Sequence, residues 1–349
     1  MEEDFKPPEE DLKICQPDEY DLLFRAMGPD RTLHQIVYNK NKHRRGYIHN
    51  KKHGEDDSWY APYLVYEIGR KIGIDVPETE VGLILHKNVD KEYYRDSWFE
   101  SSIIYDRMPC YDRYNMIPSL NDYMYVSPEV VEAEYLMQNP SVTNKRRKNI
   151  FDSENRQSVE NYVNSYTWYM INRGSKPREE YSSSEINAIK QELIDRAMFS
   201  LRFESYGNFD IRLVNGKNAE LEPYYPSRFG MLFLNVRDEK IQELLGESDE
   251  KFKESINLNY KPQYNSGRNI KSEDVKDVFA SIFETFPEQA EKAYKKLSKF
   301  NQKDMESLLA NCTRMSNGHK QIALRIFNSR GKDLDEVYEE YLKSQDQIK

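Results

Sequence analysis

The spacing of hydrophobic residues changes along the chain, and in the N-terminal third it predicts strands. Two short apolar runs, residues 33–38 and 46–49, have the length and the aromatic and β-branched content of strands. The stretch between them, residues 39–45, is basic and polar, which suits a hairpin turn. Further on, residues 75–85 predict a turn that leads into a strand, and residues 101–106 predict another strand.

One segment has the spacing of a helix. Apolar residues recur at helical intervals across residues 62–74, at Tyr63, Leu64, Ile68 and Ile72. We expect Asp57 or Ser58 to cap its N-terminus. Pro62 suits the first turn, where its missing N–H costs little, and Gly73 stands where a C-terminal glycine is expected.

Beyond about residue 115 the pattern is mainly helical. Helices are predicted to start at Pro128 and to cover residues 153–171, 183–201 and much of 272–342. A hairpin is predicted between residues 209–214 and 219–221, with Asn215 and Gly216 as a type I′ turn. The sequence thus predicts an α+β protein with four segments: an N-terminal arm (1–31), a strand-rich part with one helix (32–107), a hinge-like connector (108–114) and a larger helical part (115–349).

Composition indicates a packed, acidic protein. Of the 349 residues, 38% are hydrophobic and 13% aromatic, more than a disordered chain carries. The formal net charge of −9 argues against a general nucleic-acid binder, which needs excess cations to neutralise phosphates. One basic run could contact an acidic partner or RNA, although a solvated helix edge is the simpler interpretation; its members are Lys145, Arg146, Arg147 and Lys148.

Several features predict a cytoplasmic location. No apolar run approaches the roughly 20 residues that span a bilayer, so we expect no membrane partner. The acidic N-terminus, residues 1–10, lacks the apolar core of a secretory signal. Cys15, Cys110 and Cys312 are few and widely spaced, which indicates no disulfide framework.

Common catalytic and metal-binding motifs are missing from the sequence. It contains no HExxH and no Cys/His zinc spacing, so its six histidines are interpreted as solvated side chains and no metal site is predicted. No GxSxG elbow, Walker-type phosphate loop or GxGxxG occurs.

Four segments resemble the HipA-like family of serine/threonine protein kinases, in its phage and firmicute type, and so suggest a bacterial protein. Residues 46–50 (GYIHN) resemble the strand that ends in the ATP-binding lysine. Residues 63–83, which contain Gly-Ile-Asp-Val-Pro-Glu, resemble the family's helix and following strand, and this match is the most specific. Residues 195–209 resemble the helix and catalytic loop, and residues 221–226 (LEPYYP) resemble the metal segment. Elsewhere between residues 32 and 342 only the order of elements agrees.

The resemblance implies a two-lobed protein-kinase-like fold, with a small strand-rich N-lobe and a larger helical C-lobe. It also implies that the family's ATP-binding groups are altered. A kinase holds the ATP phosphates with a lysine, which a helix glutamate fixes in place. Asn50 stands at the lysine position, with Lys51 and Lys52 next to it, and Pro62 stands at the glutamate position. Nucleotide contacts, if kept, are expected at Asn50, Lys51, Lys52 and Asn208.

The groups for phosphoryl transfer are also altered in this alignment. Phe203 stands at the position of the catalytic aspartate, Ser205 at the position of the family's histidine, and Pro226 at the position of the metal-binding aspartate. Asn208 alone matches. Since Mg²⁺ prefers oxygen ligands and neither Phe nor Pro offers one from its side chain, ordinary Mg-ATP chemistry is not expected.

Three interpretations stay open at this point. The first is a pseudokinase that binds or regulates another protein. The second is a divergent ATP-dependent kinase or nucleotidyl transferase that uses the neighbouring carboxylates Glu204, Asp210 or Glu222, in which case ATP and Mg²⁺ would bind. The third is an acidic scaffold unrelated to kinases.

Overall fold

The structure is a computed structural model. It describes residues 12, 14–15, 19–27, 33–51, 57–86, 97–105, 123–126, 128–138, 159–203, 207–208, 211–214, 218–226, 234, 236–258 and 275–348.

Strands dominate the N-terminal part and helices the C-terminal part. The strands are β1 Ile14–Cys15, β2 Tyr20–Met27, β3 Leu33–Asn39, β4 Arg44–Asn50, β5 Thr79–His86, β6 Ser97–Tyr105, β7 Tyr123–Val126, β8 Gly207–Asn208, β9 Ile211–Val214, β10 Asn218–Leu221 and β11 Tyr225–Pro226. The helices are α1 Ala61–Ile72, α2 Pro128–Gln138, α3 Val159–Asn172, α4 Ser183–Phe203, α5 Asp238–Leu245, α6 Asp249–Leu258, α7 Val275–Thr285, α8 Pro287–Leu297, α9 Gln302–Asn311 and α10 Asn317–Ile348. Short 3-10 turns cover Ser58–Tyr60 and Arg178–Glu180.

The N-terminal strands form a six-stranded sheet in the order β1-β5-β6-β4-β3-β2. All pairs are antiparallel except β1 with β5, which is parallel. The predicted hairpin at residues 33–49 is confirmed as β3 and β4, joined at residues 40–43. β1 and β2 add to this sheet from within the segment predicted as an arm, while the predicted connector 108–114 lies outside the described residues.

Helix α1 starts and ends almost where the sequence predicts. Pro62 lies in its first turn, and Gly73 adopts φ 80°, the left-handed conformation that glycine reaches without the strain of a Cβ. The predicted cap is wrong: Tyr60 is the N-cap residue and makes no side-chain cap bond. Ser58 belongs to the preceding 3-10 turn, and the Asp57 carboxylate accepts a hydrogen bond from a distant backbone N–H instead.

The C-terminal part packs helices around the long helices α4 and α10. A second small sheet, ordered β10-β9-β7, contacts the end of α3, where the Ala219 N–H donates to the Arg173 carbonyl at 2.6 Å. The predicted hairpin is confirmed as β9 and β10, but the pairing of Val214 with Asn218 separates the strands by three residues. The predicted type I′ turn at Asn215 and Gly216 lies outside the described residues.

The main core is continuous between the two parts. Buried residues of α1, such as Leu64 and Ile68, belong to the same apolar cluster as Phe199 of α4 and Ile326 of α10. A separate small cluster lies on the other face of the sheet and consists of Val37, Ile48, Ile84, Ile103 and Tyr105. The sheet therefore has one face toward α1 and the helical part and one face with its own apolar patch. No helix in the described ranges combines the length and apolar character needed to cross a membrane.

Candidate functional site

Phe203, at the position expected for a catalytic aspartate, lies in the helical core. It is the last residue of α4 and has no exposed surface. Its ring centroid lies 4.8 Å from that of Phe199, 5.9 Å from that of Phe300 and 5.7 Å from that of Phe327. Apolar rings surround this side chain on several sides, so the position serves packing.

The two segments matched to the catalytic loop and the metal segment lie side by side. β8 and β11 pair antiparallel, with Asn208 opposite Tyr225 and Gly207 opposite Pro226. The backbone thus brings Asn208 and Pro226 close together. The side chains of both residues lie outside the described part of the structure. Two of the substitute carboxylates, Glu204 and Asp210, also lie outside it, as do Lys52 and the basic run 145–148.

Glu222, the third substitute carboxylate, is buried. The guanidinium of Arg196 donates to the Glu222 backbone carbonyl and also to the Glu192 carboxylate. Two residues later, the backbone N–H of Tyr224 donates to the carbonyl of Asp75, at 2.7 Å, in the turn after α1. The metal-segment backbone is therefore held from both lobes.

Asp195 and Arg196, which begin the matched catalytic segment, are structural residues on α4. Lys296 of α8 pairs with the Asp195 carboxylate, and Gln191 donates to its other oxygen at 2.8 Å. Burial raises the pKa of the Asp195 carboxyl, while Lys296 and Gln191 act in the opposite direction. The pair fastens α8 to α4 within the helical part.

Asn50 and Lys51, the candidates for the family's ATP-binding lysine position, differ in the face of the sheet to which their side chains point. His49 pairs with Ser102 and Asn50 with Ser101, so these two pairs face opposite sides. The Ser102 hydroxyl donates to the carbonyl of Trp59, just before α1, which identifies its face as the α1 side. Asn50 therefore points away from α1 and accepts from Ser101 at 2.7 Å. Lys51 follows on the α1 side.

Lys51 forms an ion pair that sequence reasoning missed. Its Nζ lies 2.7 Å from Oε2 of Glu100 on β6, and its backbone N–H donates to the Glu100 carbonyl at 2.8 Å. The other oxygen of Glu100, Oε1, lies 2.5 Å from Nη1 of Arg314, in the turn between α9 and α10. One carboxylate thus bridges a cation of each lobe. Glu67 of α1 pairs with Arg70 at 2.8 Å on its own helix.

A second polar cluster links the lobes near the start of α10. Asp57 Oδ2 accepts from the backbone N–H of Ser316 at 2.8 Å and lies 2.9 Å from Nδ1 of His319. Nε2 of His319 lies 2.8 Å from the carbonyl oxygen of Val236. Ser316 Oγ donates to Asp238 at 3.1 Å. Nothing in sequence periodicity indicated this contact, because Asp57 and Ser316 are 259 residues apart.

This cluster engages both ring nitrogens of a buried histidine and is not a Ser-His-Asp triad. A triad uses both ring nitrogens, one for the serine and one for the carboxylate. Here Ser316 and Asp57 both face Nδ1 of His319, and Nε2 must donate to a carbonyl. Burial by itself lowers the pKa of His319, but the hydrogen bond and charge of Asp57, the Val236 carbonyl and Asp238 outweigh it and raise the pKa above its ordinary value.

Metal binding has no ready-made site in the described ranges. No group of three or more His, Cys, Asp or Glu side chains there could hold a metal ion. The carboxylates that do cluster are engaged by cations: Glu78 by Lys42 and Arg44, and Glu100 by Lys51 and Arg314. The described residues thus offer ion pairs rather than the carboxylate-rich cage that Mg²⁺ needs.

Comparison with known proteins identifies the architecture. No family model matches the sequence, and no curated protein matches it. A solved structure, the Helicobacter pylori proinflammatory kinase CtkA, superimposes with a TM-score of 0.56 over 92% of this chain and 97% of that one. The chain has a protein-kinase-like fold.

At 12% sequence identity the similarity shows the fold alone. The predicted fold class, with a small strand-rich N-lobe and a larger helical C-lobe, is confirmed. In these terms β4 and α1 belong to the N-lobe, and β8 to β11 belong to the C-lobe segment that faces it. The site assignments of Asn50, Lys51, Asn208 and Pro226 stay predictions.

Proposed function

We propose that this protein is a degenerate member of the HipA-like kinases that binds or regulates another protein and does not transfer phosphate. The observation that carries the proposal is the environment of Phe203. A catalytic aspartate must reach the acceptor hydroxyl in the cleft. The residue at that position here is an apolar ring with no exposed surface, packed on Phe199, Phe300 and Phe327.

The environment of Lys51 supports the same proposal. In an active kinase the phosphate-binding lysine is paired with a glutamate of the N-lobe helix. Lys51 is instead paired with Glu100 of a neighbouring strand, and Glu67 of α1 pairs with Arg70. Among the described contacts, a strand residue orients the Lys51 ammonium group and no glutamate of α1 takes part.

The first experiment measures phosphoryl transfer and nucleotide binding by the full chain. We expect no transfer from labelled ATP to the chain itself or to a generic protein substrate, and no Mg²⁺-dependent rise in melting temperature with ATP. Transfer that disappears on Asp210→Asn, Glu204→Gln or Glu222→Gln would overturn the proposal and support a divergent active kinase. Glu220→Gln, at an exposed position beside Leu221, is the matched control for charge removal in the same segment.

The second experiment asks for the partner, which we propose is another protein in the cytoplasm. A kinase-like cleft without chemistry still offers a concave, shaped surface for binding. Affinity capture with the full tagged chain, competed by the untagged chain, should retain a protein that competition removes. Retention of nothing above the competed background would contradict this part of the proposal.

A further inference from the structure

The turn between α9 and α10 reaches across to the N-lobe. This α9–α10 turn, residues 312–316, belongs to the C-terminal helices in sequence. Its Arg314 guanidinium pairs with Glu100 of β6 at 2.5 Å, and its Arg314 backbone N–H donates to the Tyr60 hydroxyl at 3.3 Å. Its Ser316 backbone N–H donates to Asp57 at 2.8 Å. Three groups of one short turn therefore contact three N-lobe residues.

The first turn of α10 adds a buried contact between a histidine and an aspartate to these bonds. His319 is fully buried, and its imidazole lies 2.9 Å from the Asp57 carboxylate. Asp238, at the start of α5, lies 3.5 Å from the same ring nitrogen. Since Asp57 is also buried, its carboxylate would be costly to leave without the Ser316 N–H and the His319 ring. The contact at Asp57 is therefore held together from both lobes.

The contact at Glu100 controls the surroundings of Lys51. Glu100 gives one carboxylate oxygen to Lys51 and the other to Arg314. Arg314 thereby fixes the orientation in which Glu100 meets Lys51. The side chains of Lys51, Glu100 and Arg314 retain 26%, 16% and 28% of their exposure, so the group is sheltered without being sealed from solvent.

We propose that the α9–α10 turn is an inter-lobe latch that holds Glu100 on Lys51 and so keeps the Lys51 ammonium group sheltered from solvent. The proposal rests on the proposed function only in taking Lys51 as the equivalent of the nucleotide-binding lysine. Because Arg314 and Ser316 belong to one turn, loss of the Asp57 contact loosens the Arg314 contact as well. Release of either one exposes Lys51.

The test is the rate at which acetic anhydride acetylates Lys51 in the full chain, followed by peptide mass spectrometry. Lys251, whose side chain is 69% exposed, is the internal standard within each sample. Arg314→Gln and Asp57→Asn are each expected to raise the Lys51 rate about threefold relative to Lys251, the factor that loss of a partly exposed ion pair gives. Glu100→Gln sets the upper limit of the Lys51 acetylation rate, because it removes the charged partner of Lys51 directly.

Arg325→Gln is the matched control. Arg325 also lies on α10, but it donates to the Leu244 and Leu245 carbonyls and pairs with Asp249, all within the C-lobe. It should leave the Lys51 rate unchanged. The Asp57→Asn result separates a latch from a local ion pair, since the Asp57 carboxylate contacts Ser316 and His319 and acts on Lys51 only through the turn.

Wild-type Lys51 rates in folded Arg314→Gln and Asp57→Asn would overturn the proposal, and so would an equal increase in Arg325→Gln. Circular dichroism before labelling verifies the fold. Should one of the two variants not fold, the other decides. Should both not fold, Arg314→Met decides by the same criterion, because it keeps the apolar stem and removes the charge that meets Glu100. No nucleotide is present, so the outcome is independent of whether the chain transfers phosphate.

Discussion

Replacement of Phe203 tests whether its position belongs to the core or to an open active site. The ring is fully buried and has three aromatic neighbours with centroids within 5.9 Å. Removal of a buried Phe side chain to Ala typically costs about 3–5 kcal/mol through lost burial and the cavity that remains. Each aromatic ring pair that is lost adds about 0.5–1.5 kcal/mol beyond the loss from buried area. We therefore expect Phe203→Ala to lose about 3–5 kcal/mol of unfolding free energy.

Urea unfolding followed by tryptophan fluorescence measures this loss, with Leu342→Ala as the control. Leu342 lies on α10 and is 43% exposed, so its truncation should change stability by less than about 0.5 kcal/mol. Phe203→Asp gives the sharper result. The new carboxylate would be buried among apolar rings, and the cation described near the present ring is the buried Arg202 guanidinium, 5.4 Å from the Phe203 centroid. Because one cation at this distance does not replace the lost hydration, the variant should be destabilised and should gain no phosphoryl transfer.

Two outcomes would refute this reasoning. A loss below about 1 kcal/mol in Phe203→Ala would mean that the ring is not an essential core residue. Wild-type stability in Phe203→Asp, with or without new kinase activity, would mean that the position opens to a cleft. Both outcomes would also remove the main support for a degenerate active site.

Three further predictions concern other parts of the molecule. Because the pKa of His319 is raised in the folded state, its contribution to stability should be complete below about pH 6.5 and lost as pH rises through the folded pKa. The melting temperatures of wild type and His319→Gln should therefore converge with rising pH. A difference that stays constant with pH would contradict this. Burial raises the pKa of the Cys312 thiol to about 12, so a thiol reagent at pH 8 should label Cys312 only after unfolding, as peptide mass spectrometry can show. Gly69→Ala should lower the unfolding free energy in urea by about 1–3 kcal/mol despite the better helix propensity of Ala, because its Cβ would lie 2.6 Å from Val76 Cγ1. In Gly73→Ala the new Cβ meets no atom within 4 Å, but the positive φ should lower the unfolding free energy by about 1–2 kcal/mol. Unchanged stability in either variant would contradict the cause given.

The interpretation of Lys51 and Asn50 shows where sequence reasoning reached its limit. The sequence placed both residues at the end of a strand, and β4 confirms that strand. Alternate side chains of a strand face opposite sides, so a shift of one residue moves a lysine from one face to the other. Only the pairing of β4 with β6 and the hydrogen bond from Ser102 to Trp59 showed which of these two residues points toward α1.

Local physics decided what the sequence could predict. The strand hairpin, helix α1 with Gly73 at its end, and the long helices of the C-lobe followed from spacing and from the conformational limits of Gly and Pro, which act over a few residues. The kinase-like fold itself was predicted from the resemblance of four segments to the HipA-like kinases, since spacing alone indicated only an α+β protein.

Contacts between distant segments needed the tertiary structure. The burial of Phe203, the engagement of Asp57 by Ser316 and His319 in place of a helix cap, and the sharing of Glu100 between Lys51 and Arg314 join residues far apart in the chain. Such pairs leave no periodic trace, because a carboxylate at a lobe junction and a carboxylate on a solvated surface look the same in sequence. The packing of the two lobes alone determines which of these side chains is held and which is free to bind.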